Sequence, residues 1–326
     1  MKKIAFLYSL PVLCCFLFLT ACENIIEFKG KDKENKLVVN HIVDTKQEEQ
    51  IIDFSASYFL FEDMEDWNGW DDPSSKWKDE WGLPPGGLQE LPLEITVNGE
   101  PQEYYSIGGN YLAYRPGELK AGDKIAVEID HELSGRVYVE ETVPELPVIL
   151  SVDTMRFFDS EMYSLFMRSL ITIKDRPNER NYYRLLIRRK VLFDEGTKWE
   201  YLSEMTDYYI NQDPALSNLV DQGMEDYEGN ICRIFSDDLF DGGEYTLNVY
   251  FPLSYGSNVL KEKVDVEIEL YAITESLYFY MRSIEQKWNS DTFSHPVRIY
   301  SNVKGGYGIL GIQHPLIYRF PVGRSS

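Results

Sequence analysis

The sequence is poor in cysteine, histidine and basic charge, and each shortage excludes something. Its 326 residues hold four Cys and four His, with 32 Lys and Arg against 54 Asp and Glu, a formal charge of −22. A chain this acidic repels phosphate backbones, so nucleic acid is excluded as a partner. Cys14 and Cys15 fall in an N-terminal apolar run and Cys22 stands at its end, which leaves Cys232 as the one usable thiol. No internal disulfide and no C-x-x-C zinc site can be built from one thiol. His41, His131, His295 and His314 are scattered, and the last two precede prolines that hold the backbone extended. None is expected to serve as a general base or a metal ligand. The motifs G-x-S-x-G, H-E-x-x-H and G-x-x-x-x-G-K-[ST] are absent. The expectation is a chain with no catalytic residues, no resident metal and no cofactor.

What is present begins with an address. Lys2 and Lys3 precede an apolar run from Ile4 to Leu19, broken only by Ser9 and Pro11. The run is short for a membrane span and has the charge pattern of a secretory signal. It closes in Leu19-Thr20-Ala21-Cys22, a bacterial lipobox, in which small residues enter the peptidase cleft and the Cys22 thiol takes diacylglycerol. Residues 1–21 are therefore expected to be removed, and losing two Lys and no acid brings the charge to −24 over 305 residues. Acyl chains contribute about 0.8 kcal/mol per buried methylene, so two or three anchor a protein stably. Residues 22–35, with the run Lys29-Gly30-Lys31-Asp32-Lys33-Glu34, read as a solvated tether.

The body reads as mainly β, in two domains. Over 36–145, short alternating runs separated by turn signals predict an immunoglobulin-like β-sandwich. The predicted strands are Leu37–Val43, Ile51–Leu60, Leu93–Val97, Tyr104–Tyr114, Lys124–Ile129 and Arg136–Val143, with a hairpin at Asn98-Gly99. Over 146–326 a larger β-sandwich-type domain is expected, with strands Leu165–Lys174, Tyr182–Phe193, Tyr245–Phe251, Val264–Ile273 and Val297–Val303. Two short helices are expected. One opens at Asp213-Pro214; the other is capped by Thr274, with Leu277, Tyr280, Met281, Ile284 and Trp288 on one stripe. Glycines at 305, 306 and 308 lie before and within a late strand, where they mark bulges or close backbone approach.

Several stretches together resemble a known family. They are the lipobox cysteine followed by Leu37-Val38-Val39-Asn40; Ile173-Lys174-Asp175 leading to Asn181-Tyr182-Tyr183-Arg184-Leu185; and Phe235-Ser236-Asp237-Asp238-Leu239-Phe240-Asp241-Gly242. The closing stretches are Phe293-Ser294-His295-Pro296-Val297, Tyr300-Ser301-Asn302-Val303 and Gly305-Gly306-Tyr307-Gly308-Ile309. The chain resembles the Bacteroidota outer-membrane lipoprotein family catalogued as domain of unknown function 4249. The resemblance implies a protein in the outer membrane, held by lipid on Cys22 and encoded beside TonB-dependent transporters that import glycans, peptides or metal chelates. Glu23 and Glu27, soon after the cysteine, match the pattern of lipoproteins that face the cell exterior. The family brings no catalytic residues with it.

Two features keep alternatives open. Residues 62–81 carry Trp67, Trp70, Trp77 and Trp81 among eight acids and two Lys. Six excess negative charges argue against a buried strand, yet exposed Trp is costly in apolar area. Either the loop folds back on its own domain, or it is a binding surface whose rings stack on a glycan or dock on a peptide or partner. Asp237, Asp238 and Asp241 beside Gly242-Gly243 are the best acidic cluster, read as a turn with self-bonded Asp side chains or as a calcium site. The leading functional expectation is a binding or accessory subunit beside a TonB-dependent transporter. Its rivals are a surface glycan hydrolase using paired carboxylates, and an envelope structural or adhesion module.

Overall fold

The apolar–polar alternation seen in the sequence becomes burial on one face of each strand. In β1 (Leu37–Asp44) residues 37, 39, 41 and 43 are buried and the others are not. The computed structural model describes residues 36–57, 92–131, 135–192, 204–205, 213–216, 233–255, 263–288 and 297–322. All of them lie in the compact unit Asn35–Ser326.

β1 pairs antiparallel with β2 (Gln50–Ala56), β2 with β6 (Tyr111–Tyr114), and β6 with β5 (Tyr104–Gly108). Opposite lies a four-stranded sheet, in the order β4 (Glu100–Pro101), β3 (Leu93–Val97), β7 (Lys124–His131), β8 (Gly135–Thr142). Val39, Phe54, Ile95, Val127 and Val139 fill the space between the two. This is the first sandwich. Asn98 and Gly99 turn the β3–β4 hairpin with φ of 53° and 81°, as the Asn-Gly pair predicts.

The second sandwich sets a three-stranded sheet against a longer one. β10 (Ser164–Lys174) runs between β9 (Val148–Asp159) and β14 (Glu244–Tyr255). Facing it are β11 (Tyr182–Leu192) and β15 (Lys263–Ile273), with Met167, Ile171, Leu185, Val249 and Ile268 in the core. Two short strands, β12 (Glu204–Met205) and β13 (Ile234–Ser236), also pair with β11.

One strand joins the two sandwiches. β16 (Tyr307–Val322) runs parallel to β1 from Tyr307 to Gln313, and antiparallel to β15 from Gln313 to Val322. The result is a nine-stranded sheet that crosses the position near 145 where the sequence places a boundary, because the last strand completes the first sandwich. Pro315 and Pro321 sit in the half of β16 that lies past the end of β1. There a missing N–H leaves no neighbour unpaired.

The helix α1 (Glu275–Trp288) covers the other face of the long sheet. Leu277 and Met281 pack with Tyr182, Leu186, Tyr271 and Ile273, the stripe that the 3.6-residue period predicts. Gly311 makes this approach possible, since a Cβ there would lie 2.8 Å from Leu277 side-chain carbons.

Four expectations need correction. Tyr104–Tyr114 is two strands joined by a turn at Gly109-Asn110, with Gly108 and Gly109 at positive φ. Val297–Val303 forms no strand, because its polar groups bond to side chains and to neighbouring loops instead of a ladder. Thr274 does precede the helix, but its hydroxyl oxygen accepts the Ile312 N–H at 3.1 Å and so ties the helix start to β16. Asp213–Leu216 is a turn, with the Asp213 carboxylate accepting the Ala215 N–H at 2.9 Å. Residues 217–232, into which that predicted helix would run, lie outside the described residues.

Candidate functional site

Cys22 and the four tryptophans Trp67, Trp70, Trp77 and Trp81 lie outside the described residues, as do Cys232 and His295. The structure does place the other motifs, and it gathers them into two clusters.

The first cluster forms at one end of the second sandwich. Asp175 follows β10, Asn181 precedes β11, and Asp237–Gly242 makes the turn between β13 and β14. Asp175 accepts the Tyr183 O–H at 2.5 Å through Oδ1 and the Gly242 N–H at 2.8 Å through Oδ2. Asp237 Oδ2 accepts the Asn181 N–H at 2.7 Å. Gly242 has a φ of 68° and no room for a side chain, as a Cβ would meet Pro177 at 2.7 Å. Arg176 donates to Asn181 Oδ1 at 2.7 Å, and Arg180 pairs with Asp238. The sequence signals Asp237, Asp238 and Asp241 as a group; the structure replaces Asp238 with Asp175.

Ligand oxygens of Asp175, Asp237 and Asp241 lie within 4.8 Å of one another, a spacing suited to a hard cation. Burial pushes the Asp237 carboxyl above the usual range, opposed by the Asn181 N–H and helped by the charges of Asp175 and Asp241. The bonded oxygens of Asp175 and Asp237 already receive backbone and phenol donors, so the cluster closes two loops against each other. That matches the Asp-turn reading.

The second cluster locks β16 into place. Asn302 Oδ1 accepts the Leu310 N–H at 3.0 Å, while its Nδ2 donates to Leu310 O and to Glu141 Oε1, both at 2.9 Å. Ser276, at the start of α1, donates to the same Glu141. Burial raises the Glu141 carboxyl, against the lowering by these two donors. Gly305, Gly306 and Gly308 pass so close to the backbones of Arg136, Leu37 and Val39 that no Cβ fits. The closing motif is therefore architecture, which the sequence reading anticipated for its glycines alone.

Charges also meet where the sandwiches join. Glu269 on β15 accepts Arg188 Nε at 3.0 Å, Lys46 Nζ at 3.1 Å and the Tyr271 O–H at 2.7 Å. Burial would raise this carboxyl, but the donors and cations together hold it below its ordinary value. Gln313 bridges the seam, donating to Asp44 Oδ2 at 3.0 Å and accepting Arg184 Nη1 at 3.0 Å. Glu267 accepts Arg319 Nε at 2.5 Å and pairs with Lys190.

Two surfaces are open. The outer face of the four-stranded sheet holds a groove of about 470 Å³ lined by Glu94, Glu128, Glu140, Lys124 and Tyr138. Its acids are answered locally: Arg136 pairs with Glu128, and Lys124 and the Tyr138 O–H engage Glu140. The face of the long sheet opposite the first core is different, because it is apolar. Ile42, Ile51, Tyr105, Ile107 and Tyr111 are each 40–47% exposed there. Ile51 and Tyr105 flank the buried Ala113 across the register, and Tyr111 lies opposite Asp53. Glu49 rims the patch, paired with Arg115 and accepting the Tyr105 O–H.

Of the four histidines, His41 is packed in the first core, with Nε2 3.3 Å from the Tyr114 hydroxyl. His314 meets Pro144 O through Nδ1 at 2.8 Å. Neither stands beside a carboxylate pair or a nucleophile in these contacts. No curated protein matches the sequence. A family model described as a domain of unknown function does match, over residues 23–316. With that span covering most of the chain and all the motif clusters above, the protein belongs to the DUF4249 family.

Proposed function

We propose that this protein is a lipid-anchored outer-membrane protein, facing the cell exterior, that acts without chemistry of its own as a binding or accessory subunit beside a TonB-dependent nutrient transporter. The lipobox supports the anchor through Cys22, and the family's resemblance supports the neighbour. The observation that carries the binding role is the apolar row on the long sheet. Contiguous exposed aliphatic and aromatic side chains on one sheet face, rimmed by charge, are the mark of a protein–protein surface. The clustered carboxylates, by contrast, are bonded to backbone and cations and serve the fold.

Replacing Ile51 and Tyr111 together with Glu tests this reading. Both are nearly half exposed, so the fold should tolerate the change, while recovery of a barrel protein with the tagged lipoprotein should fall. Unchanged recovery with both charges in place would remove the patch from the account. The hydrolase reading makes a separate forecast: turnover on a polysaccharide panel that vanishes when one Asp or Glu is replaced.

A further inference from the structure

Sheet edges are hazards, since each offers a row of unpaired N–H and C=O groups to another chain. Among the described residues, this protein blunts its edges one by one. β4 and β12 are two residues long, and β4 ends in Pro101. β5 has five residues and runs into Gly108-Gly109 at positive φ. The outer edge of β8 is held by Lys304, whose N–H and C=O both bond to Tyr138. The half of β16 beyond β1 carries Pro315 and Pro321. In the three-stranded sheet the outer side of β14 is met by Asp213, whose carboxylate accepts the Asn248 N–H at 2.6 Å.

β9 is the exception. It is a twelve-residue strand that pairs with β10 along its whole length and with no other described strand. It contains neither proline nor lysine. Val148 (45% exposed), Leu150 (50%) and Met155 (55%) leave it open to solvent, with Leu146 just before it. Roughly every second residue of an antiparallel edge points both its N–H and its C=O outward, so the strand presents a ladder with one side unfilled. Residues 145–161 carry Glu145, Asp153, Asp159 and Glu161 against Arg156.

We infer that β9 is a docking edge for an extended, apolar and net-basic strand of a partner protein, which adds to the sheet as a fourth strand. The form of the occupant follows from the backbone, because only an extended chain can satisfy a row of ladder groups. Its charge follows from the side chains. A second copy of β9 would set a net negative strand against its like, and directly opposed like charges destabilise a pair. Lysines or arginines on the incoming strand would instead meet the acids. This surface is separate from the apolar row on the long sheet and does not depend on which partner that row receives.

The test is amide hydrogen exchange on the full-length protein in mild detergent, with a synthetic alternating Val-Lys peptide matched to the length of β9. Residues 148–159 should exchange about ten-fold more slowly or better at saturating peptide, with the rest of the molecule unchanged. A Val-Lys peptide with proline at alternate positions, unable to complete a ladder, should give no protection. The double variant Leu150→Lys with Met155→Lys changes two half-exposed side chains and should weaken peptide binding about ten-fold, with an unchanged circular dichroism spectrum. Exchange in 148–159 that ignores the peptide overturns the inference. So does equal protection by a Val-Glu peptide. Protection that rises with protein concentration alone, together with a dimer in sedimentation, overturns it in favour of a second copy.

Discussion

A histidine sealed inside an apolar core makes stability depend on pH in a direction that can be worked out. His41 is fully buried between the two sheets of the first sandwich, and its Nδ1 meets no hydrogen-bond partner among the described residues. Burial lowers its pKa from the ordinary 6.5 to about 3, so the folded protein keeps the ring neutral across the mildly acid range. The unfolded chain has no such constraint and binds a proton near pH 6.5. Between the two values the unfolded state holds more protons, so stability is full above about pH 6.5 and falls as the pH is lowered towards 3. Each pH unit below about 6.5 costs about 1.4 kcal/mol, which makes the loss about 2 kcal/mol at about pH 5. Urea unfolding followed by circular dichroism at about pH 7 and about pH 5 measures it, with His41→Gln as the reference. Glutamine keeps an acceptor for the Tyr114 hydroxyl and does not titrate. Carboxylates contribute equally to both proteins, so the difference in slope isolates the imidazole. The native protein should lose about 2 kcal/mol more than the variant over this interval. Parallel pH dependences would refute the reasoning, for they would mean that the folded core accepts the proton.

Other contacts in the fold make outcomes of their own predictable. Lys46→Met and Arg188→Met should each cost about 1–2 kcal/mol in urea unfolding, and the double variant more than their sum, because Glu269 is then buried without a cation. With Glu269 held below its ordinary value in the fold, its share of stability is present at neutral pH and is lost as the pH drops through that lowered value. Gly311→Ala should cost about 1–3 kcal/mol by pushing α1 off the sheet, seen as a lowered thermal midpoint. Asp237→Ala should cost about 1–3 kcal/mol in the same assay, since the Asn181 N–H is buried without its acceptor. Added calcium should leave the melting temperature of the native protein unchanged if the Asp cluster only closes loops.

Local pattern carried much of the architecture. Strands with clean alternation, such as Leu37–Val43 and Lys124–Ile129, and the α1 stripe from Leu277 to Trp288, are legible because one face of each is buried. β9 escapes such a reading, for an edge strand exposed on both sides carries little alternation to detect. The union of the sandwiches through β16 rests on a parallel pairing between Val38–Asp44 and Tyr307–Gln313, at opposite ends of the sequence, which no local signal encodes. The acidic corner was half legible. Asp237 and Asp241 stand in an evident turn, but Asp175 joins them from a different loop, and only the fold brings it there. Asn302 looked like part of a strand because Val297 and Val303 bracket it, whereas its amide in fact replaces a ladder by bonding both polar groups of Leu310.

Membrane attachment cannot come from a helical span among the described residues, where no helix is long and apolar enough to cross. The proposed role therefore rests on Cys22 and on a partner at the surface. The most direct measurement is the native mass and composition of the particle that a C-terminally tagged protein brings out of mildly solubilised outer membranes. The account predicts the lipoprotein in near-equal amount with a TonB-dependent barrel, and loss of that particle when Cys22 is replaced by Ala. Recovery of the lipoprotein alone, at the mass of a single chain, would contradict it.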